Sequence, residues 1–333
     1  TDTLKFVMGT DTDLNLSGLT FSLWDNEFDS IEIIGDGDGE TIIGSSQDDI
    51  IEGGAGADYL DGGGGIDTLS YAGSSASVSV QLVDVGISNF GGGSGDDDGD
   101  VFLNFENIIG SAQDDILGGL YSSASTIMAG GGNDLLVGYD GANALFGEGG
   151  NDRFSIGFPP ITAGSIFDGG AGTDDRFTVE DGAPNATFDF TTSTVTGIER
   201  IDFAEGTQVR TLSFTADQFS DNFTSITSEP RSSGNINRID ITMDTRLTLD
   251  LSGLGVTGLT ESGDGITITG DGNNETITGS AAADTINGNA GHDWLTPGAG
   301  ADQVDGGDNI DMVSFSDLGD AVNASLLTGI ATS

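Results

Sequence analysis

Single large aliphatic residues, separated by long stretches rich in glycine and aspartate, form the dominant pattern of this chain. Between residues 35 and 70 they recur every nine positions, at Ile42, Ile51, Leu60 and Leu69. Glycine and aspartate favour tight turns, so six residues of each unit predict a turn. The last three predict an extended strand whose central aliphatic faces a core. No segment shows sustained helical periodicity, so we predict an all-β chain.

The nine-residue unit follows the pattern G-G-x-G-x-D-x-U-x, where U is a large aliphatic residue. It occurs in three blocks. The units of the first block start at Gly35, Gly44, Gly53 and Gly62. Those of the second start at Gly110, Gly119, Ala129, Gly138 and Gly147, with one extra residue in the second unit. Those of the third start at Gly270, Gly279, Gly288, Pro297 and Gly306. A degenerate copy covers 169–174.

The segments between the blocks are rich in Thr, Ser, Val, Ile and Phe, and their alternating polarity predicts half-buried strands. The Asp-rich loop 91–100 is predicted to be the most mobile tip. The resulting division is a β-rich flank at 1–34, a first block at 35–70, a connector at 71–109, a second block with a degenerate end at 110–178, a β-rich segment at 179–260, a third block at 261–314 and the start of a truncated connector at 315–333.

A longer repeat overlies the nonapeptides. Residues 14–19 match residues 249–254 at an offset of 235, and Glu40 matches Glu275 at the same offset. The third block then contains one extra nonapeptide, after which 67–71 match 311–315. A smaller echo links Phe105-Glu106-Asn107-Ile108 with Ile198-Glu199-Arg200-Ile201. The chain is about one and a half copies of a large unit, which predicts that it was cut from a longer array.

The net charge limits the possible partners. There are 55 acidic and 8 basic residues, giving a formal charge of −47. A compact fold with this charge repels itself, and nucleic acids and anionic membranes are poor partners. No stretch approaches the roughly 18 apolar residues of a membrane span. The absence of Cys excludes disulfides and thiolate metal sites. Bound divalent cations are the simple remedy for the charge.

The spacing of the aspartates specifies which cation. Two nonapeptides complete one coil, so position six of every second unit stacks in a column at about 4.8 Å. Carboxylates at that separation repel unless a cation lies between them, and with nearby backbone carbonyls they form the all-oxygen ligand set that Ca²⁺ prefers over Mg²⁺. The predicted metal-site residues are Asp49, Asp58, Asp67, Asp115, Asp134, Asp152, Asp174, Asp284, Asp293, Asp302 and Asp311, with the turn glycines Gly44, Gly53, Gly62, Gly288 and Gly306.

Pairing should join units two apart. Asp49 should share an ion layer with Asp67, and Asp293 with Asp311, while Asp58 and Asp67 should lie on opposite sides. On the order of ten ions would cancel about 20 of the negative charges. The alternative, that Asp is present only because turns favour it, explains one or two units but not three blocks in register. For the degenerate units at Ala124 and Asn143 the two interpretations stay open.

The blocks resemble the repeats-in-toxin, or hemolysin-type, calcium-binding repeats of secreted bacterial proteins. The resemblance covers 35–70, 110–155 and 270–314 and extends more weakly into the flanks. It implies a parallel β-roll with Ca²⁺ between successive turns, type I secretion in an unfolded state, and folding in external calcium. Family members carry these repeats beside proteases, lipases, epimerases, adhesins and surface-layer proteins, so the resemblance alone does not specify an activity.

The residues argue against catalysis by this chain. There is one histidine, so an H-E-x-x-H zinc site is impossible, and no G-x-S-x-G elbow occurs. His292 occupies variable position five of a nonapeptide, which predicts a solvent-facing turn residue. Carboxylate pairs abound, but nearly all are assigned to calcium. Trp24 and Trp294 fit core or roll-surface packing better than sugar stacking.

Two functions remain. The first is a non-catalytic, calcium-binding repeat region of a secreted bacterial surface, adhesive or matrix protein, with calcium as partner and with polysaccharide or other copies at the cell surface as further candidates. The second is the accessory repeat region of a secreted enzyme, such as a polysaccharide-modifying one, whose catalytic domain lies outside this chain. In both, one aliphatic residue per nine is too thin a core to fold alone, so folding is predicted to depend on metal.

Overall fold

Short parallel strands stacked along one axis make up this chain. The computed structural model describes residues 3–22, 24, 29–84, 95–157, 160–181, 185–229 and 236–316. In the nonapeptide blocks, each strand pairs with the strand two units away, as Ile42 pairs with Leu60. Successive strands therefore alternate between two sheets, and two units form one coil. The predicted all-β parallel roll is confirmed.

The first sheet runs from the amino-terminal flank through the first two blocks into the segment 179–260. Within the described residues it has nine strands: β1 (Thr3–Val7), β3 (Ser30–Ile34), β5 (Asp49–Glu52), β7 (Thr68–Ser70), β10 (Asn107–Ile109), β12 (Thr126–Met128), β14 (Ala144–Phe146), β16 (Ile166–Asp168) and β19 (Thr194–Thr196). The sheet continues across the predicted segment boundaries, whose bounds stay predictions. The structure thus joins the first two blocks into one solenoid.

The strands between these belong to two further sheets. A sheet with four described strands contains β2 (Asp13–Asn15), β4 (Thr41–Ile43), β6 (Tyr59–Asp61) and β9 (Val101–Leu103). A sheet with eight described strands contains β8 (Ser79–Gln81), β11 (Ile116–Gly118), β13 (Leu135–Val137), β15 (Arg153–Ile156), β17 (Arg176–Val179), β20 (Arg200–Phe203), β22 (Ser225–Ser228) and β25 (Gly255–Thr257). The nonapeptide strands of these two sheets bury their central side chains, as the pattern predicts, whereas Val304 and Val313 at the end of the third block are partly buried and exposed.

The third block belongs mainly to two other sheets. One has six described strands: β18 (Ala186–Asp189), β21 (Val209–Thr215), β23 (Ile236–Thr242), β26 (Gly265–Thr269), β28 (Asp284–Asn287) and β31 (Gln303–Asp305). The other has four: β24 (Thr248–Asp250), β27 (Thr276–Thr278), β30 (Trp294–Thr296) and β33 (Met312–Val313). A short pair, β29 (Ala290–Gly291) and β32 (Asp308–Asn309), links neighbouring turns. The long repeat is visible here, since β24 corresponds to β2 in the earlier copy.

The segment between the second and third blocks has a different core. Its coils are longer than two nonapeptides, since Phe177 of β17 pairs with Ile201 of β20. Phenylalanines fill the wider interior, and the rings of Phe177 and Phe190, and of Phe190 and Phe214, stack with centroids 4.9 Å apart. Buried aromatic rings contribute much more apolar surface than one aliphatic per nonapeptide. The hydrophobic core, which continues through the nonapeptide blocks, is therefore widest in this part of the chain.

One helix occurs in the described residues. It is α1 (Ala216–Asn222), which begins with a capping box between Thr215 and Gln218. This box satisfies backbone donors of the first turn, and Ala216 and Phe219 face the core. The sequence did not predict this helix, since a segment of two turns is too short to show a period.

Candidate metal centre

Acidic side chains at position six stack in columns along the edges of the sheets. In each column a carboxylate oxygen accepts a hydrogen bond from the backbone N–H of the position-six residue one coil earlier, as Asp67 Oδ1 does from Asp49 at 2.8 Å. We number the columns from the hydrogen bonds. Column 1 is Asp49, Asp67 and Glu106; column 2 is Glu40 and Asp58; column 3 is Asp115, Asp134, Asp152, Asp175 and Glu199; column 4 is Glu275, Asp293 and Asp311; column 5 is Asp284 and Asp302.

The predicted pairing between units two apart matches this geometry. Asp293 donates its N–H to Asp311 Oδ1 at 3.0 Å, as Asp49 does to Asp67. Asp58 and Asp67 precede strands of different sheets, β6 and β7, so they belong to different columns. Of the predicted aspartates, all but one lie in a column. Whether each pair shares an ion stays a prediction.

The exception is Asp174, which lies outside the columns, so its role as a metal ligand stays a prediction that the placement of Asp175 does not favour. Asp175 occupies the column, where its Oδ1 accepts the N–H of Asp152 at 2.6 Å and its side chain is buried. Asp174 is partly exposed and forms an ion pair with Arg200, with a closest N···O distance of 2.6 Å. The degenerate unit carries one extra residue before the carboxylate, and stacking, not the local motif, decides which aspartate turns inward.

The position-one glycines provide space for the carboxylates. A Cβ on Gly62 would stand 2.8 Å from Asp67 Oδ2, and one on Gly288 would stand 2.5 Å from Asp293 Oδ2. Gly44, Gly53 and Gly306 face their own aspartates in the same way. These glycines leave the space that the carboxylates occupy. A side chain at any of these positions would collide with the carboxylate of the same unit.

Several column carboxylates have one oxygen that is buried and accepts no hydrogen bond. This holds for Oδ2 of Asp58, Asp134, Asp152, Asp175 and Asp293. Burying a charged oxygen without a partner is costly unless a cation supplies the missing interaction. Among the described residues no three acidic or histidine side chains form a ligand group by themselves. Each column places the carboxylates of two successive coils beside turn carbonyls such as that of Gln47 beneath Gly65. This arrangement fits a hard cation with many oxygen ligands.

The electrostatics of the columns show the same need for a cation. Burial raises the pKa of Asp67 to about 8, and repulsion by Asp49 and Glu106 adds to this. Burial, with repulsion by Asp152 and Asp115, raises the pKa of Asp134 to about 7. Burial also raises the pKa of Glu275 to about 8, with Asp271 and Asp293 adding to it. Without metal, these groups are stabilised by protons instead.

Three aspartates of the five columns have protein donors for both oxygens. Ser45 donates its backbone N–H to Asp49 Oδ2 at 2.5 Å and its hydroxyl to Asp49 Oδ1 at 3.3 Å. Ser111 and Ser280 bind Asp115 and Asp284 in the same way. Each of these aspartates is the first member of its column. A serine at position two of the nonapeptide therefore donates hydrogen bonds to the aspartate of the same turn.

Two glutamates outside the nonapeptides were missed as site residues. Glu106 Oε2 accepts the N–H of Asp67 at 2.8 Å, and Glu199 Oε2 accepts that of Asp175 at 2.9 Å. Each is the last carboxylate of its column. The signal was present as the F-E-N-I and I-E-R-I echo, which the structure explains as the end of a carboxylate column.

The degenerate units of the second block have no carboxylate at position six. The extra residue moves Ser125 into the place predicted for Ala124, where its hydroxyl accepts the N–H of Leu120 at 2.9 Å. Asn143 donates its amide to the carbonyl of Tyr139 at 2.8 Å and accepts the N–H of Ser125 at 3.0 Å. Protein hydrogen bonds thus take the place of a charged pair on this side of the roll.

The side chains of the remaining candidates are not members of the columns. His292 is exposed, as predicted, and its Nδ1 lies 3.0 Å from the carbonyl oxygen of Ile310. Trp24 packs against the core beside Phe21, whereas Trp294 is half exposed on β30. Residues 91–94 of the predicted mobile tip, and most of the segment 315–333, lie outside the described residues.

Adjacent aspartates allow a test of the column assignment. Asp175→Asn is expected to raise the calcium concentration needed for folding by about tenfold or more, since it removes one charged ligand of a coil. Asp174→Asn, its matched control, loses only a partly exposed ion pair worth at most about 1 kcal/mol. The measurement is a calcium titration followed by circular dichroism. Equal midpoints for the two variants would contradict the column assignment.

Comparison with known protein families gives two matches. The RTX calcium-binding nonapeptide repeat matches residues 34–69, 269–304 and 278–313. The peptidase M10 serralysin C-terminal domain matches residues 57–266, more than half of the chain. No curated protein matches the chain. Among the described residues, no helix has the length and apolar character needed to cross a membrane.

Proposed function

This chain belongs to the family of the peptidase M10 serralysin C-terminal domain, and on that premise we propose that it is the calcium-stabilised, non-catalytic repeat region of a secreted bacterial surface, adhesive or matrix protein. Calcium binding follows from the RTX repeats, which are typical of proteins exported by type I secretion. The observation that carries the proposal is the row of buried carboxylate oxygens without hydrogen-bond donors. In this proposal each coil takes up Ca²⁺ between successive column residues, and the chain folds after export.

The ligands in this proposal are the members of the five columns. Calcium would be held by paired carboxylates such as Asp134 with Asp152, together with turn carbonyls, and it would supply the positive charge that the protein lacks. On the order of ten ions would offset about 20 negative charges. The test is equilibrium dialysis of the chain against calcium with magnesium as control. Binding of one or two ions, or equal binding of both metals, would refute it.

The match to the serralysin C-terminal domain favours one alternative. The chain would then be the accessory region of a secreted enzyme whose catalytic domain lies elsewhere in the parent protein. Its own role would be the same calcium-dependent folding. Purified chain, folded in calcium, is expected to cleave neither casein nor polysaccharides under either hypothesis. Calcium-dependent retention of the chain on bacterial cells would favour the surface role, and its absence would favour the accessory role.

A further inference from the structure

Column 2 continues beyond Asp58 into the acidic loop of the connector. Asp58 donates its N–H to Asp100 Oδ1 at 2.9 Å. Directly after Asp100, the chain enters β9, whose Val101 and Phe102 pair with Tyr59 and Leu60. Asp100 therefore has the same relation to Asp58 that each column aspartate has to the one before, although most of the connector separates the two in sequence.

The internal repeat supports this equivalence. In the second copy the counterpart of Asp58 is Asp293, and its next neighbour is the nonapeptide aspartate Asp311, bound at 3.0 Å. β33 follows Asp311 and pairs with β30, as β9 follows Asp100 and pairs with β6. A loop residue in the first copy thus stands where a nonapeptide aspartate stands in the second.

The sequence of residues 95–103 explains why Asp100 lies one coil from Asp58. Gly95-Asp96-Asp97-Asp98-Gly99-Asp100-Val101-Phe102-Leu103 is a degenerate nonapeptide with Asp at position six and Phe at position eight. A Cβ on Gly99 would stand 2.9 Å from Cβ of Ala57, which places position five above position five of the unit below. The positive φ of 98° falls at Gly99 rather than at position four. This shift by one residue hides the unit from the sequence pattern.

The turn carries the features of a cation site besides its acidic residues. Asp58 Oδ2 is buried and accepts no hydrogen bond, with Asp58 only 1% exposed. Asp100 is equally buried, and its Oδ2 accepts the hydroxyl hydrogen of Tyr71 at 2.9 Å. The phenol of Tyr71 thus fixes the orientation of the Asp100 carboxylate.

Building on the calcium columns of the proposed function, we propose that Asp58 and Asp100 hold a further Ca²⁺ and that Tyr71 positions Asp100 for it. This ion fastens the acidic connector to the roll. Beside it, buried Asp97 accepts the N–H of Ser79 at 3.0 Å, at the start of β8. β8 is the end strand of the sheet that runs through the second block, where it pairs with β11. The ion therefore holds the connector at the start of that sheet.

Asp100→Asn tests the site, with Asp98→Asn as its matched control in the same loop. Asp98 is exposed, and its backbone hydrogen bond to Gly95 does not involve the carboxylate. The bound calcium of the full chain is counted by native mass spectrometry at saturating calcium, and hydrogen exchange is measured over 95–103. We expect the Asp100 variant to bind one ion fewer and to exchange at least tenfold faster there. The Asp98 variant should match the unmodified chain in both measurements.

Tyr71→Phe provides a gentler second variant, since it removes only the hydroxyl that donates to Asp100 Oδ2. It is expected to keep the ion but to weaken the site by roughly tenfold, the effect of one lost hydrogen bond to a charged group. An unchanged ion count and exchange rate in the Asp100 variant would overturn the proposal, as would equal losses in the Asp98 control. Should the Asp100 variant not fold, unchanged exchange in the Tyr71 variant overturns it. A chain that binds no calcium at all would instead refute the proposed function.

Discussion

Removing calcium with EDTA is expected to abolish most of the β-sheet signal of this chain in circular dichroism at pH 7.5. The formal charge is −47, and the carboxylates of each column lie one coil apart. Without cations they repel, and one aliphatic per nonapeptide cannot offset the conformational entropy of about 1–2 kcal/mol per ordered residue. Adding calcium in the millimolar range should restore the signal cooperatively.

The loss should not be uniform along the chain. The phenylalanine cluster around Phe177, Phe190 and Phe214 buries large apolar surfaces without any metal. Hydrogen exchange in EDTA should therefore leave some protection in the coils that contain it and none in the nonapeptide blocks. Magnesium at the same concentration, the control, should not restore the blocks. A β-sheet spectrum that persists unchanged in excess chelator contradicts the coupling of folding to calcium and the proposed folding after export.

The nonapeptide blocks could be predicted from sequence because the spacing alone determines which residues stack. A coil of two nonapeptides brings Asp49 next to Asp67 whatever the intervening side chains are. The aliphatic at position eight enters the core for the same reason. Periodicity thus specified the sheets, the alternation of sides and most members of the columns.

Where the nine-residue spacing is interrupted, the sequence pattern could not decide which aspartate joins a column. Asp174 and Asp175 are both compatible with the local motif, and only the register of β17 on β15 turns Asp175 inward. Asp100 was assigned to a mobile loop because its neighbours are polar, although it lies one coil above Asp58 in space. Such placements depend on long-range stacking, which neighbouring residues do not encode.

The wider coils between the second and third blocks show the same limit. Alternation predicted strands there, but not that each coil would be longer than two nonapeptides and would enclose phenylalanines. The stacking of Phe190 on Phe214 joins residues that are far apart in sequence. Hydrophobic alternation indicates which side of a strand is buried, but not how many residues form one coil.

Acidifying the calcium-free chain is expected to restore part of its β structure. In the folded chain without metal, burial raises the pKa of Asp67 and Glu275 to about 8 and that of Asp134 to about 7. In an unfolded chain these carboxyl groups titrate near about 4. The folded state therefore binds more protons between these values, so its stability increases as the pH falls from 8 towards 4 and is lost again as the pH rises. Protons thereby neutralise the columns in place of calcium.

This effect is distinguishable from general screening of the negative charge. Circular dichroism in EDTA is measured from pH 8 to pH 4.5 at low protein concentration, and again at pH 8 with 0.5 M sodium chloride, about the range in which exposed charges are fully screened. Acid should restore more β-sheet signal than salt. Equal effects of acid and salt, or no recovery in acid, would show that column protonation does not stabilise the fold.

Asp134→Asn tests the same mechanism at a single residue. We expect it to stabilise the fold in the absence of calcium and to destabilise it in the presence of calcium. The amide keeps an oxygen for the N–H of Asp115, now bound at 2.7 Å, and removes one buried negative charge. The chain already uses this solution at Asn143, whose amide donates to a carbonyl of its own turn. In EDTA the variant should therefore be more folded than the unmodified chain. In calcium it should need about tenfold more metal to fold, because a ligand is lost. A variant that is less folded in both conditions would mean that Asp134 stabilises the roll through packing and not through charge.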